Sequence, residues 1–213
     1  GVYEAGKKIG MELAKESPVT ADVVVPVPDS GVPAAIGYAQ QSGLPFELGI
    51  IRNHYVGRTF IEPADHIRHL GVRLKHNANR ALIEGKRVIL VDDSIVRGTT
   101  SMKIVEMVRQ AGAREVHMRI AAPPTTDPCF YGIDTPVRGE LIAAGRSSIE
   151  VGEALGADHV LFLPPEQLVD AIRAARPVEF APMTPCLACV DGDYPTSIDG
   201  AERLIGARRE VRV

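Results

Sequence analysis

Arg87-Val88-Ile89-Leu90-Val91-Asp92-Asp93-Ser94-Ile95-Val96-Arg97-Gly98-Thr99-Thr100-Ser101 joins an apolar run, an acidic pair, a short hydroxyl- and glycine-bearing loop and a helix start. Val88 to Val91 is a continuous aliphatic and β-branched run, as expected of a parallel strand covered on both faces. From Lys103 the pattern turns helical, with Ile104, Val108 and Ala111 on one face and Gly112 as the stop signal. A loop between a parallel strand and a helix N-terminus presents backbone N–H groups and the positive end of the helix dipole, which suits a phosphate. Ser94, Thr99 and Thr100 add hydroxyl donors, and Gly98 permits close backbone approach to an anion.

No Gly-Lys-Ser/Thr follows the strand, so a P-loop is excluded, and the glycine spacing of a dinucleotide fingerprint is missing. An acidic pair before a phosphate loop suits a ligand that carries hydroxyls, or a divalent metal, close to its phosphate. The order of acidic pair, small residues and Gly-Thr-Thr resembles the phosphoribosylpyrophosphate (PRPP) loop of type I phosphoribosyltransferases. The bland alternative is an acidic turn that only caps a helix.

Working outward, Val2 to Glu16 predicts a helix with Val2, Gly6, Ile9 and Leu13 on one face, ended by Ser17-Pro18. Val23-Val24-Val25 predicts a second buried strand, and Asp29-Ser30-Gly31 then turns into a helix bearing Ala34, Ala35, Tyr38 and Ala39. Loops at the C-terminal ends of parallel strands converge on one crevice, so this turn can face the Asp92 loop; an ordinary turn is the alternative. Pro45 to Ile51 reads as an edge strand. From Arg52 to Arg80 the chain is basic and lacks apolar periodicity, and a stretch of that length fits a lid over an anionic ligand or a solvated excursion. Strands at Glu115 to Ala121 and Val160 to Leu163 follow, with helices at Val137 to Ala144, Ser148 to Leu155 and Glu166 to Ala175. Alternating strands and helices predict an α/β, doubly wound, mainly parallel sheet. Its expected domain spans residues 1–176, with a cysteine-bearing extension at 177–213.

The 213 residues are enough for a substantial core, and 45% hydrophobic with 24% charged residues is ordinary for a globular chain. A net charge of -3 gives no global attraction to nucleic acid or anionic membranes. No apolar run is long enough to span a bilayer and no signal-peptide pattern opens the chain. Three cysteines argue against a disulfide framework and for a reducing, cytoplasmic setting. Cys186-Leu187-Ala188-Cys189 with distant Cys129 suits metal ligation, zinc with a histidine being one option and an inert Cys129 another.

Six segments then occur in order: Pro28-Asp29-Ser30-Gly31; Tyr55-Val56-Gly57-Arg58-Thr59-Phe60-Ile61; Val72-Arg73-Leu74-Lys75; the Asp92 loop; Cys129-Phe130-Tyr131-Gly132-Ile133-Asp134; and Cys186-Leu187-Ala188-Cys189. Together they resemble the glutamine phosphoribosylpyrophosphate amidotransferase family, in its iron–sulfur bacterial class, nearly end to end. The resemblance implies the phosphoribosyltransferase half of a two-part enzyme, with the N-terminal glutaminase domain absent from this chain. In that family glutamine-derived ammonia displaces pyrophosphate from PRPP to give 5-phosphoribosylamine, the first step of de novo purine synthesis.

Carried over by position, Asp92 and Asp93 would engage the ribose hydroxyls and, with Ser30, Mg²⁺. Ser94, Ile95, Val96, Arg97, Gly98, Thr99 and Thr100 would cradle the 5-phosphate. Asp29, Ser30 and Gly31 would lie beside the pyrophosphate, and Arg58 and Lys75 would meet its charge as catalytic residues. Cys129, Cys186 and Cys189 would ligate a structural [4Fe–4S] cluster whose fourth cysteine lies upstream in the family. The same resemblance implies a homotetramer with purine nucleotide feedback. His54 and His76 depart from the family pattern, and a lone histidine is more often a benign surface residue. Two rival readings are a nucleobase salvage transferase, which shares the loop without the Cys-Leu-Ala-Cys tail, and a PRPP-sensing module without turnover.

Overall fold

The computed structural model describes residues 1–16, 18–53, 76–175, 185–198 and 200. Helix α1 (Val2–Glu16) precedes strand β1 (Val23–Pro26) and helix α2 (Val32–Ser42). A ribbon follows in which β2 (Ile50–Arg52) pairs antiparallel with β3 (His76–Ala78). The short helix α3 (Arg80–Ile83) leads into β4 (Arg87–Asp92), α4 (Thr99–Gln110) and β5 (Glu115–Ile120). A 3₁₀ turn (Arg138–Glu140), α5 (Ser148–Leu155), β6 (His159–Phe162), α6 (Pro165–Ala174) and α7 (Ala188–Asp191) complete the described elements. Strands β1, β4, β5 and β6 form one parallel sheet in that spatial order.

The buried run of β4 explains why helices cover both faces. Val88 and Leu90 point into a core with Ile104, Val108, Met118, Val151 and Leu155, whereas Ile89 and Val91 point into a second core with Leu13, Ala34, Ala35 and Tyr38. All four β4 residues are 0% exposed, each stabilising the fold by roughly 1.5–3 kcal/mol relative to an exposed side chain. The first core is roofed by α4 and α5 and the second by α1 and α2. The doubly wound expectation therefore holds.

Helices α1 and α2 pack at backbone contact. A Cβ on Gly10 would lie 1.9 Å from the Ala34 carbonyl oxygen, and one on Gly37 would lie 1.9 Å from that of Lys7. The packed face of α1 is Gly10, Leu13 and Ala14. Val2, expected on that face, is 91% exposed. At the other edge of β1, Val24 donates to the Pro45 carbonyl at 2.8 Å and accepts from Glu47 at 3.0 Å. The expected edge strand at Pro45 to Ile51 is thus a single bridge at Phe46, after which β2 leaves for the separate ribbon.

Two further expectations change. Helix α4 starts at Thr99, not Lys103, because its polar first turn hides the apolar period. The helix expected at Val137 to Ala144 is only the 3₁₀ turn, since Leu141 is extended and Ile142 donates to the Val96 carbonyl at 2.9 Å. Arg58, Lys75 and His54 lie outside the described residues. His76 is 5% exposed in β3, so it is a buried residue and not the benign surface histidine expected. Among the described residues no helix is long and apolar enough to cross a membrane.

Candidate active site

Strand β1 has β4 on one edge and the Phe46 bridge on the other, and the chain winds outward from it in both directions. The crevice at the C-terminal ends of β1 and β4 is therefore the topological switch point of the sheet, where open α/β sheets bind ligands. Both loops singled out in the sequence lie there. The pairing of β1 with β4 continues through Val27, which donates to the Val91 carbonyl at 2.8 Å. Gly31 sits so close to this junction that a Cβ would be 2.4 Å from the Val91 oxygen and 2.8 Å from the Val27 oxygen. Asp29 and Ser30 are exposed at the turn, whose Pro28–Asp29 peptide bond is cis. Arg52, at the end of β2, pairs through Nη1 with the Asp29 carboxylate. Nothing local in the sequence marks this pairing across 23 residues, and Arg52 reads there only as the first of many cations.

The Asp92 loop closes through its own carboxylates. The Asp93 N–H donates to Asp92 Oδ1 at 2.9 Å, and the Ser94 N–H donates to Asp93 Oδ1 at 2.9 Å. Asp92 is 6% exposed, whereas Asp93 is exposed. Burial, and then the neighbouring charge of Asp93, raises the Asp92 pKa well above the ordinary carboxylate range. A divalent cation beside the pair would relieve that penalty, so the oxygen donors of Asp92 and Asp93 fit Mg²⁺ chemically. No group of three His, Cys, Asp or Glu side chains among the described residues is arranged to hold a metal ion.

Beyond Ser94 the loop is anchored from below and from one side. The Ile95 side chain is 2% exposed and joins the core, so its part is to hold the loop down. Arg97 Nε donates to Glu140 Oε2 at 3.0 Å, a partner that sequence reading missed because it lies 43 residues away. Gly98 adopts φ +78° and caps α4. A Cβ there would meet Ile142 Cδ1 at 2.3 Å, a side-chain tip that could shift, so it is the positive φ that calls for glycine. Thr99 and Thr100 form the first turn of α4, with their N–H groups among those that no helical carbonyl satisfies. The apolar-walled groove between α4 and α5, lined by Met102, Val105 and Leu155, includes none of these loop residues.

The three cysteines lie in one docked unit remote in sequence from the loops. Thr126 and Asp127 donate their N–H groups to the Cys189 carbonyl at 3.0 and 3.1 Å. Tyr194 donates to the Pro128 carbonyl at 2.6 Å and meets Phe130 edge to face at 5.2 Å between ring centroids. Cys186 is exposed, Cys129 and Cys189 are half-buried, and none is in a disulfide. Burial, then the charges of Cys129 and Cys186, pushes the Cys189 thiol pKa up. Among the described residues these three thiols are not arranged as a group that could hold a metal ion, and a [4Fe–4S] cluster takes four thiolates.

The chain is similar to named proteins over most of its own length. The chain is 60% identical over 203 residues to the amidophosphoribosyltransferase of Rhizobium etli, covering 92% of this chain and 40% of that protein. It is 54% identical over 197 residues to the one of Bacillus subtilis, covering 92% and 41%. The solved structure of glutamine PRPP amidotransferase from B. subtilis in complex with ADP and GMP superimposes with a TM-score of 0.80 at 54% identity, over 93% of this chain and 43% of that one. The chain thus spans about 40% of the length of the relatives it matches. The family profile described as phosphoribosyl transferase domain matches residues 3–124, a span that contains both loops of the crevice. The chain belongs to the phosphoribosyltransferase domain family, on a type I phosphoribosyltransferase fold.

Proposed function

We propose that this chain is the PRPP-handling part of an amidophosphoribosyltransferase, in which ammonia displaces pyrophosphate from PRPP to give 5-phosphoribosylamine. The observation that carries the reading is the placement of the Asp92–Asp93 loop, ending in the first turn of α4, beside the Asp29 turn at the switch point of the sheet. Residues 1–176 are the proposed transferase domain and 177–213 the extension.

In this reading the N–H groups of the loop and of the α4 first turn, with the hydroxyls of Ser94, Thr99 and Thr100, bind the 5-phosphate. Gly98 keeps that backbone accessible. Ile95, Val96 and Arg97 shape the loop and do not grip the ligand through their side chains. Asp93 and Asp92 hold the ribose hydroxyls and, with Ser30, are the groups that would hold Mg²⁺, which when bound neutralises pyrophosphate charge. Asp29, oriented by Arg52, lies beside the departing pyrophosphate, and Arg58 and Lys75 supply positive charge to it. Ammonia is already a nucleophile, so catalysis rests on positioning and electrostatics. Cys129, Cys186 and Cys189 would hold a structural metal centre that takes no part in the transfer. Purine nucleotides are proposed as feedback ligands and a tetramer as the assembly.

The test is acceptor use. With PRPP and Mg²⁺, the chain is expected to release pyrophosphate in proportion to free ammonia and to leave nucleobases unconsumed. Consumption of a nucleobase with no response to ammonia would assign the domain to salvage chemistry instead.

A further inference from the structure

We propose that Arg52 contacts the pyrophosphate of the ligand directly, from the ribbon side of the crevice. The inference rests on the PRPP reading above and deepens it. In that reading Arg52 orients Asp29, and the cations given to the pyrophosphate, Arg58 and Lys75, lie outside the described residues. Arg52 ends β2, and the root of β2 is fixed to β1. Glu47 donates to the Val24 carbonyl at 3.0 Å, and a Cβ on Gly49 would lie 2.9 Å from Val25 Cγ2. Asn79 donates to the Gly49 carbonyl at 2.7 Å, which ties the β3 side of the ribbon to the same root. A ribbon so rooted carries Arg52 to the turn that follows β1, where its Nη1 meets the Asp29 carboxylate. The guanidinium is thus one hydrogen bond from the group that lies beside the pyrophosphate.

The arginine has donor capacity beyond that pair. Asp29 takes Nη1, one of three nitrogens in a planar fork. Nε is buried and, among the described residues, meets no acceptor, and a buried donor without one is costly. The Asp29 side chain is 58% exposed and that of Arg52 26%, so the carboxylate stands in solvent while the arginine stem is held by protein. An ion pair that wet adds little to stability. Pyrophosphate offers several oxygens of higher charge, and the guanidinium fork suits phosphate oxygens pairwise. The ligand therefore gains a charge-assisted contact from Arg52 at little internal cost. Loss of the arginine should be visible in pyrophosphate affinity and almost invisible in melting temperature.

The experiment titrates the chain with pyrophosphate and, separately, with ribose 5-phosphate in Mg²⁺ buffer, and measures ammonia-dependent PRPP turnover. The proteins are the wild type, Arg52→Gln, Arg52→Lys, Asp29→Asn and the Arg52→Gln, Asp29→Asn double variant. Expected for Arg52→Gln is about tenfold weaker pyrophosphate affinity and a similar fall in kcat/KM for PRPP. Ribose 5-phosphate affinity should stay within about twofold, because the 5-phosphate sits at the other loop, and the melting temperature within about 2 °C. Arg52→Lys, which keeps the charge and loses the fork, should fall between wild type and Arg52→Gln. Loss of Arg52 also uncovers the Asp29 charge, which repels pyrophosphate, and the double variant removes that effect. It should still bind pyrophosphate about fivefold or more weakly than Asp29→Asn. A double variant that matches Asp29→Asn, wild-type pyrophosphate affinity in Arg52→Gln, or an equal loss for both ligands would overturn the contact. Failure of the wild type to bind either ligand would instead overturn the PRPP reading, and this proposal with it.

Discussion

The Asp92 carboxyl is 6% exposed at the end of β4, and burial followed by the charge of Asp93 raises its pKa well above the ordinary range. A folded state that holds a proton more tightly than the unfolded chain loses stability as pH rises from about 4 through the raised folded value, and stays less stable above it. Asp92→Asn removes that penalty. In metal-free buffer at neutral pH the variant should melt roughly 2–4 °C higher than wild type, about 1 kcal/mol, and the difference should vanish as pH falls below about 4. Mg²⁺ should raise the wild-type midpoint and leave the variant unmoved. Thermal melts across pH, with and without Mg²⁺, check both statements; a variant that is less stable than wild type at neutral pH would refute this account of Asp92. Of this residue the sequence showed the carboxylate pair and its loop. It did not show that one carboxylate is buried and the other exposed, because that depends on how β5 covers the end of β4, where Ala121 donates to the Asp92 carbonyl at 2.9 Å.

At the scale of elements, the crossing of α1 over α2 decides how tightly the second face of the sheet is closed. Gly10→Ala places a methyl 1.9 Å from the Ala34 carbonyl oxygen. Backbone cannot give way as a side chain tip can, so the helices must separate. The expected cost is about 3 kcal/mol, the upper part of the usual overpacking range. Gly139→Ala, with nothing within 4 Å of the added carbon, is the control and should stay within about 0.5 kcal/mol of wild type. Denaturant midpoints distinguish the two; equal midpoints would mean that α1 and α2 are not packed through Gly10.

The same comparison shows what was legible. The end of α1 followed from the Ser17-Pro18 stop signal, and the helix expected at Ser148 to Leu155 is α5, whose Ser147–Glu150 capping box the structure reveals. The contact face of α1 did not follow, because a glycine contact has no hydrophobic period to read. Helix α4 was placed four residues late for the related reason that Thr99, Thr100 and Ser101 are polar yet helical. Arg52 and Glu140 escaped notice because ion pairs across 23 and 43 residues leave no local pattern.

Across the whole molecule, two assemblies share one chain: the crevice at the switch point, and the cysteine unit in which residues 186–196 dock on residues 126–135. The docking is anchored by the Thr126 and Asp127 N–H bonds to the Cys189 carbonyl, the Thr126 hydroxyl bond to the Val190 carbonyl at 2.8 Å, the Tyr194 bond to Pro128 with its edge contact to Phe130, and the Tyr131–Thr196 hydroxyl pair at 2.9 Å. Tyr194→Ala should release the segment locally, costing about 1–3 kcal/mol of docking. In metal-free protein the alkylation rate of Cys129 and Cys189 should rise by about tenfold or more, with the global melt barely changed. Unchanged alkylation would show that the unit is held by something other than Tyr194. The fold and the crevice were legible because strand runs and phosphate loops are contiguous in sequence, whereas the docking of residues 186–196 on 126–135 joins segments 64 to 66 residues apart at Thr126–Val190 and Tyr194–Pro128 and leaves no local pattern. The central claim is that the Asp92–Asp93 loop at the switch point turns over PRPP. Its most direct test is pyrophosphate release from PRPP with Mg²⁺ and free ammonia, comparing wild type with the Asp92→Asn, Asp93→Asn double variant. The account predicts ammonia-dependent release in the wild type and at least about a hundredfold loss in the double variant, which stays folded. Release that is equal in the two proteins would contradict it.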